Sequence, residues 1–551
     1  MKSAVPRALR NARRIVPRAP STKSLSSSTL PCLRLGNNHL TNTAIFLSQH
    51  RNFSATTRLQ DIDEDKDRKW STPLAKQLAA AIELTGPIPL ASFMRMCLTS
   101  DIGGYYTGAI EKDRDQFGLK GDFVTSPEIS QVFGELIGVW FLTEWLAQGR
   151  QTKGVELIEV GPGRGTLMDD VLRVCTAMSS RIDLIANSCQ TIQSFPAMAN
   201  SIDAIYMVEA SPELRVAQKN LLCGEDAPMT ESKVGYHSVC KYNALPIVWT
   251  ETIKSIPIAA EKMPFIVAHE FFDALPIHAF ELVSVPASKS APPSSTDNSS
   301  PSTKTTTPTL QWREMLVSPT PPGSTHESLN TPATQSRETP PPDFQLTRAT
   351  SSTRHSLYLP ESSARFRALK STVGPGALLE VCPDASLYAS DFAARIGGSP
   401  QHPKSKPSGA ALILDYGPGD GTIPTNSLRG IRKHRRVSPF AEPGLTDLSV
   451  DVDFAGIAES ATRASEGVEV HGPIAQGDFL ELMGIKQRAE VLAKRASAQK
   501  GEEAGRGVEK AWKRLVDRGP GGMGKVYQAL AILPENEGRR RPVGFGGDVV
   551  Q

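Results

Sequence analysis

An α/β fold built on a parallel, doubly wound sheet is the class that this 551-residue chain predicts, on three observations. Val155-Glu156-Leu157-Ile158-Glu159-Val160 reads as a buried strand. It runs into a turn over Gly161 to Gly165 and then a helix over Thr166 to Cys175, with Leu167, Val171, Leu172 and Val174 inward. Two further short apolar runs, Ala204 to Val208 and Pro264 to Ala268, each lead to a polar residue at the C-terminal end. Strand, turn, helix, strand in this order is the pattern of a sheet covered by helices on both faces.

The chain opens on a leader with 10 Lys and Arg and no Asp or Glu before position 60, followed by a Ser-rich run from Ser21 to Thr29. A cationic, acid-free leader of this kind reads as a mitochondrial transit peptide over 1–58, with Arg51-Asn52-Phe53-Ser54 resembling a processing site; a basic tail that binds nucleic acid is the alternative. The net charge is only +3, so removing the leader leaves a mildly acidic remainder and nothing global that favours nucleic acid. The 7 cysteines are scattered without a Cys-x-x-Cys or Cys-His cluster, which gives neither a disulfide framework nor a zinc site and suits a reducing compartment. No run of roughly 18 apolar residues suggests a membrane span.

An N-terminal helical segment is expected over 70–150. Leu74, Leu78, Ala81 and Ile82 set out a helix ending at Gly86-Pro87, a second opens at Ser92, Asp101 to Gly121 forms a loop, and Pro127 to Leu146 reads as one long helix. The core is expected over 151–286. Next come Pro/Ser/Thr-rich inserts over 287–356, where Ala287 to Pro308 and Pro319 to Ser356 hold too few apolar groups to offset the entropy of ordering them. They flank a strand at 310–317. The remainder of the core and a substrate-binding region follow over 357–535, with strands at Leu378 to Cys382 and Ala410 to Leu414, a helix at Ala385 to Ile396, and late helices before a last strand at Val526 to Leu533; 536–551 reads as a flexible tail.

Chemistry gathers at the ends of the strands. Glycines at 161, 163 and 165 let the backbone turn sharply against a ligand, and the following helix aims its N-terminal amides at it. G-x-G-x-G after a strand carrying Glu159 favours S-adenosylmethionine over NAD, for which G-x-G-x-x-G is expected. Glu209, after its strand, sits where such folds place a carboxylate for a ribose diol; the alternative is a helix-terminal acid before Pro212, contributing only ~0.5 kcal/mol. His269, Glu270, Phe271, Phe272 and Asp273 end another strand. Asp273 stands where a zinc-type H-E-x-x-H needs its second His, so metal is not expected. Glu270 and Asp273 suit an always-cationic guanidinium, with a structural cap as the other reading. A second glycine turn, Gly417 to Gly421, follows a strand but meets Pro424 instead of a helix; it reads as a turn near the site, with Asp415 either functional or structural. The basic run Arg429 to Val437 reads as a solvated face, with contact to an anion or acidic partner as the alternative.

These residues together resemble the MidA family. The carrying segments are Gly121 to Ser130, Val160 to Leu167, Ala268 to Pro276, Val381 to Asp384 and Pro443 to Phe454, spread over roughly positions 70 to 535. The resemblance implies a Rossmann-like S-adenosylmethionine-dependent methyltransferase fold with extra helices and disordered inserts. Mitochondrial members of the family are protein-arginine methyltransferases and assembly factors of respiratory complex I. A matrix enzyme that symmetrically dimethylates an arginine of a peripheral-arm subunit early in assembly is therefore implied. It also places Thr125, Ser126 and Pro127 at the cofactor, where the residues alone give only a helix cap and first turn. The inserts depart from the family. A non-catalytic assembly chaperone on the same fold and an NAD-dependent oxidoreductase are the other readings; which arginine is modified, and whether the chain pairs with a second copy as a homodimer, the residues leave open.

Overall fold

A computed structural model of the protein describes residues 68–108, 122, 124–177, 196–286, 308–329, 331 and 340–546. The leader, the loop over 109–121, and most of Ser179 to Ser201 and Ala287 to Pro308 lie outside the described residues. The centre is a nine-stranded sheet. Its parallel heart runs Pro246–Thr250, Ile202–Val208, Val155–Val160, Met263–His269, Ala410–Tyr416, continued on one side by the antiparallel Tyr527–Pro534 and Val468–Ala475. Chain order reverses between Val155–Val160 and Met263–His269, and such a reversal opens a crevice beyond the C-terminal ends of the two strands.

The sheet is buried on both faces because its strands are almost uninterruptedly apolar. Successive side chains alternate between faces: Leu157 and Phe265 meet Trp140, Phe141 and Leu172 on one side, while Ile158 and Ile266 meet Phe392, Ile396 and Ile457 on the other. Each such side chain contributes roughly 1.5–3 kcal/mol relative to exposure.

Three elements differ from the sequence expectation. The helix expected over Pro127 to Leu146 is two helices, Ser126–Ile129 and Gln131–Ala147. Ser130 between them is extended, and its hydroxyl accepts the N–H of Val132 at 3.3 Å, so it starts the second helix instead of continuing the first. The Pro319 to Ser356 stretch is not wholly without structure: Phe344–Arg348 pairs antiparallel with Thr309–Pro319, and Arg354–Tyr358 is helical. Phe344 is fully buried against Trp70 and Phe93, enough to fix a locally polar segment. Nor is 536–546 a free tail. The Val543 carbonyl accepts Trp140 Nε1–H at 3.1 Å, Phe545 packs on Phe479, and Arg540 grips the wholly buried Glu144 with two bonds of 2.9 and 2.6 Å.

A second, antiparallel sheet holds His278–Val285, Thr309–Pro319, Phe344–Arg348 and Leu378–Val381, and a small one holds Arg429–Arg432, Arg435–Val437 and Asp447–Ser449. The basic run is therefore a hairpin, and Arg429 is not on a solvated face.

Candidate active site

At the C-terminal ends of the two switch-point strands lies a cavity of about 1080 Å³. The turn after Val155–Val160 forms one wall. Gly161, Gly163 and Gly165 all take positive φ (67, 53 and 82°), as the glycine pattern requires. A Cβ on Gly161 would stand 2.6 Å from Phe271 Cδ2, so the turn and the loop after Met263–His269 touch only because that side chain is missing. Helix Thr166–Ala177 follows directly and presents its N-terminus to the cavity.

Glu159 lines the cavity nearly fully buried, and its Oε2 has no hydrogen-bond partner among the described residues. Burial drives its carboxyl well above the usual range, against a backbone bond from Met168. An unpartnered buried acceptor costs about 1–3 kcal/mol, and is a polar group waiting for a donor. Glu209 also lines the cavity; its Oε1 accepts Ser211 N–H at 2.8 Å and its Oε2 accepts Gln218 Nε2–H at 3.1 Å. Burial raises it to about 7. Gln218 also donates to the Gly163 carbonyl at 2.6 Å and accepts Trp249 Nε1–H at 2.9 Å, tying the glycine turn to Glu209. Thr125 and Pro127 face the cavity, with Thr125 N–H donating to Glu128 at 3.2 Å. Ser126 and Gly165 sit just behind the wall: Ser126 points its N–H to Glu270 Oε1 at 3.4 Å, and Gly165 lies against Gln218.

The opposite wall is acidic. His269 ends its strand, Glu270 takes a left-handed backbone (φ 49°), and Phe272–Ala274 makes one tight turn. A left-handed non-glycine costs of order 1–3 kcal/mol and persists only when its surroundings enforce it. Asp415 is the enforcer: fully buried at the end of the next strand, its Oδ2 accepts the N–H groups of Phe271, Phe272 and Asp273 at 3.1, 2.8 and 3.3 Å. Asp273 is held by the Tyr416 hydroxyl with Arg429 nearby, yet burial still raises its carboxyl. Glu270 is raised well above its normal range by burial and by the charge of Asp273. Asp447, which accepts the Tyr106 hydroxyl at 2.9 Å, is pushed up to about 7 by burial and then by Asp273. His269 is fully buried against Phe133 and held down to about 3 by desolvation, hence neutral; its Nε2 is 3.3 Å from Glu270 Oε1 without hydrogen-bond geometry.

Residues that the sequence did not single out complete the chamber. Tyr416 and Tyr527 meet edge-on at 5.1 Å, Arg429 lies over Tyr416 at 4.4 Å and bonds Asp451 at 2.6 Å, and Asp447 and Tyr106 close the side. Arg429 stood in the basic run, and Asp447 and Asp451 lay within the Pro443 to Phe454 segment without being singled out. Three carboxylates lining this one cavity, with raised pKa values and aromatic walls, form a receptor for a cation that can donate several hydrogen bonds.

A family model described as S-adenosyl-L-methionine-dependent methyltransferase matches residues 136–474. The chain is 32% identical over 476 residues to the mitochondrial protein arginine methyltransferase NDUFAF7 of Rattus norvegicus, covering 86% of this chain and 87% of that protein. It is 32% identical over 467 residues to the Homo sapiens protein of that name, covering 84% of each. The Drosophila melanogaster homolog matches at 31% over 465 residues, 84% of this chain and 85% of that one. Among solved structures, a protein from Burkholderia thailandensis bound to S-adenosyl-homocysteine superposes with a TM-score of 0.56 at 21% identity, over 87% of this chain and 96% of that one.

Proposed function

Since the chain belongs to this family of S-adenosyl-L-methionine-dependent methyltransferases, we propose that the group it methylates is an arginine side chain of a protein. The observation that carries this reading is the carboxylate trio of Glu270, whose side chain is 11% exposed, and the buried Asp273 and Asp447, in the cavity that also holds the glycine turn. A guanidinium is cationic at every physiological pH and presents five N–H donors in a plane, so it satisfies carboxylates that no single small cation would. The relatives named as mitochondrial protein arginine methyltransferases support the same substrate class and a mitochondrial location.

The residues of the glycine wall fit the cofactor. The unpartnered Glu159 Oε2 awaits a donor, Glu209 is placed for a diol, the positive-φ glycines leave no Cβ in the way, and Thr125, Ser126 and Pro127 flank them. When bound, S-adenosyl-L-methionine supplies an electrophilic methyl group on sulfur. The protein's part is position and charge. Glu270 and Asp273 accept N–H bonds from the guanidinium and fix one nitrogen toward the glycine wall. With the cofactor bound, the nitrogen that accepted its methyl group would have to lose a proton. A carboxylate whose pKa is already raised is the base suited to take it. We assign His269, its imidazole kept neutral because burial lowers its pKa to about 3, the task of packing beside and orienting Glu270.

Symmetric dimethylation, a peripheral-arm complex I subunit as target, and action in the matrix during early assembly all rest on the MidA resemblance. Mass spectrometry of complex I subunits from cells with and without the protein tests the target. A methyl-arginine present only when the protein is present is expected; identical methylation in both removes that part of the proposal. The chaperone reading makes a distinct forecast: Asp273→Ala protein would restore complex I assembly in deficient cells.

A further inference from the structure

Away from the cavity, three side chains from three separate segments converge on one point. His278 opens the His278–Val285 strand, Glu314 lies mid-strand in Thr309–Pro319, and His355 lies in helix Arg354–Tyr358. The antiparallel register sets Phe280 opposite Glu314, which puts His278 diagonally across from Glu314. Nδ1 of His278 is 2.9 Å and Nδ1 of His355 3.1 Å from the same oxygen, Glu314 Oε1, and one donor atom of each residue lies within 4.8 Å of the others. The two imidazole centroids are only 4.2 Å apart.

We propose that His278, Glu314 and His355 form a binding site for a divalent ion of the zinc class. Two imidazole nitrogens and one carboxylate oxygen are the donor set such ions take, and tetrahedral ligands around zinc at ~2.0–2.1 Å sit a little over ~3 Å from one another, close to the spacing found. Glu314 is 1% exposed. Its Oε1 faces both imidazole rings while Thr353 donates its hydroxyl to Oε2, so the carboxylate is fixed in place toward the two histidines. As a mere hydrogen-bond acceptor Glu314 needs one histidine; the second shares its oxygen and crowds the first ring, where two protonated imidazoles would repel. An ion replaces both shared N–H bonds, with each imidazole staying neutral by carrying its proton on Nε2. The His355 side chain is 39% exposed, which gives the ion a path and leaves room for water as a fourth ligand. None of the three residues lines the methyl-transfer cavity. The ion would instead pin the strand and helix on either side of the Pro/Ser/Thr-rich stretch to the strand that leaves the Asp273 loop. The site escapes a motif search because its ligands are 36 and 41 positions apart in sequence.

The test is calorimetric titration of chelator-treated full-length protein with zinc chloride, with the melting temperature and the visible spectrum of the cobalt-substituted form as further readouts. One ion per chain, a higher melting temperature and cobalt bands of a low-coordinate nitrogen–oxygen site are expected. His355→Ala, at the more exposed position, and His278→Ala should each bind at least about 100-fold more weakly. Wild-type binding no tighter than that of a protein carrying both His278→Ala and His355→Ala, or a melting temperature unmoved by zinc, would overturn the proposal in favour of a purely hydrogen-bonded cluster.

Discussion

Glu270, Asp273 and Asp447 are costly residues to bury, and their cost is the clearest sign of what the cavity is for. Glu270→Gln and Asp273→Asn keep the shape but remove the charge that holds a guanidinium, so kcat for methyl transfer should fall on the order of 10²–10³-fold with cofactor affinity little changed; radiolabelled methyl incorporation and calorimetry read the two separately. Asp447, raised from 3.8 to about 7, loses stability for the fold as pH climbs through that window, because the unfolded chain ionises it more easily. Asp447→Asn should therefore melt higher than wild type at pH 8, with the gap narrowing as pH falls toward 4. In the wild type kcat/KM should rise with pH up to about 7, as Asp447 gives up the proton that competes with the substrate. The strand-end acids Glu159, Glu209, Glu270 and Asp273 were legible in sequence because each follows an apolar run at a sheet edge. Asp447, Tyr106, Tyr416 and Tyr527 were not, since they reach the cavity from loops and strands whose placement depends on tertiary packing.

The glycine turn and the loop after His269 act as one unit, touching at Gly161 and Phe271 and fixed from behind by Asp415. Gly161→Ala should abolish cofactor binding by equilibrium dialysis, since its backbone would be strained and its methyl group would strike the Phe271 ring. Asp415→Ala leaves three buried N–H groups without an acceptor and should lower kcat more than cofactor affinity; an unchanged kcat would mean that the loop holds its own shape. The sequence named Asp415 without deciding its role, and the geometry shows why: its oxygen turns to the neighbouring loop. Periodicity alone could not break the 126–147 helix, because a single serine as cap leaves the apolar stripe intact. Within the run Arg429 to Val437, Lys433 to Arg436 are exposed as charge suggests, but Arg429 is not, charge being read without the hairpin that folds it inward onto Tyr416.

Across the whole molecule, the parallel sheet and its switch point were readable from strand, turn and helix signals, while the antiparallel additions and the docked C-terminal segment were not. That segment lacks an apolar run of its own and is held instead by Trp140, Phe479 and the buried Glu144. Removing one partner of a buried pair is expensive, so Arg540→Ala should destabilise the protein by roughly 3 kcal/mol in urea unfolding, the low end for such pairs because Arg540 is part-exposed. The architecture sets a glycine wall against an acidic one, and the central claim is that methyl groups cross between them onto arginine. Purified protein incubated with methyl-labelled S-adenosyl-L-methionine and an extract of mitochondria lacking it measures this directly, with the label mapped to residues by mass spectrometry. Label on arginine with wild type and its loss with Asp273→Asn are expected; label on another residue type, or equal labelling by both proteins, would rule out arginine as the acceptor held by the acidic wall.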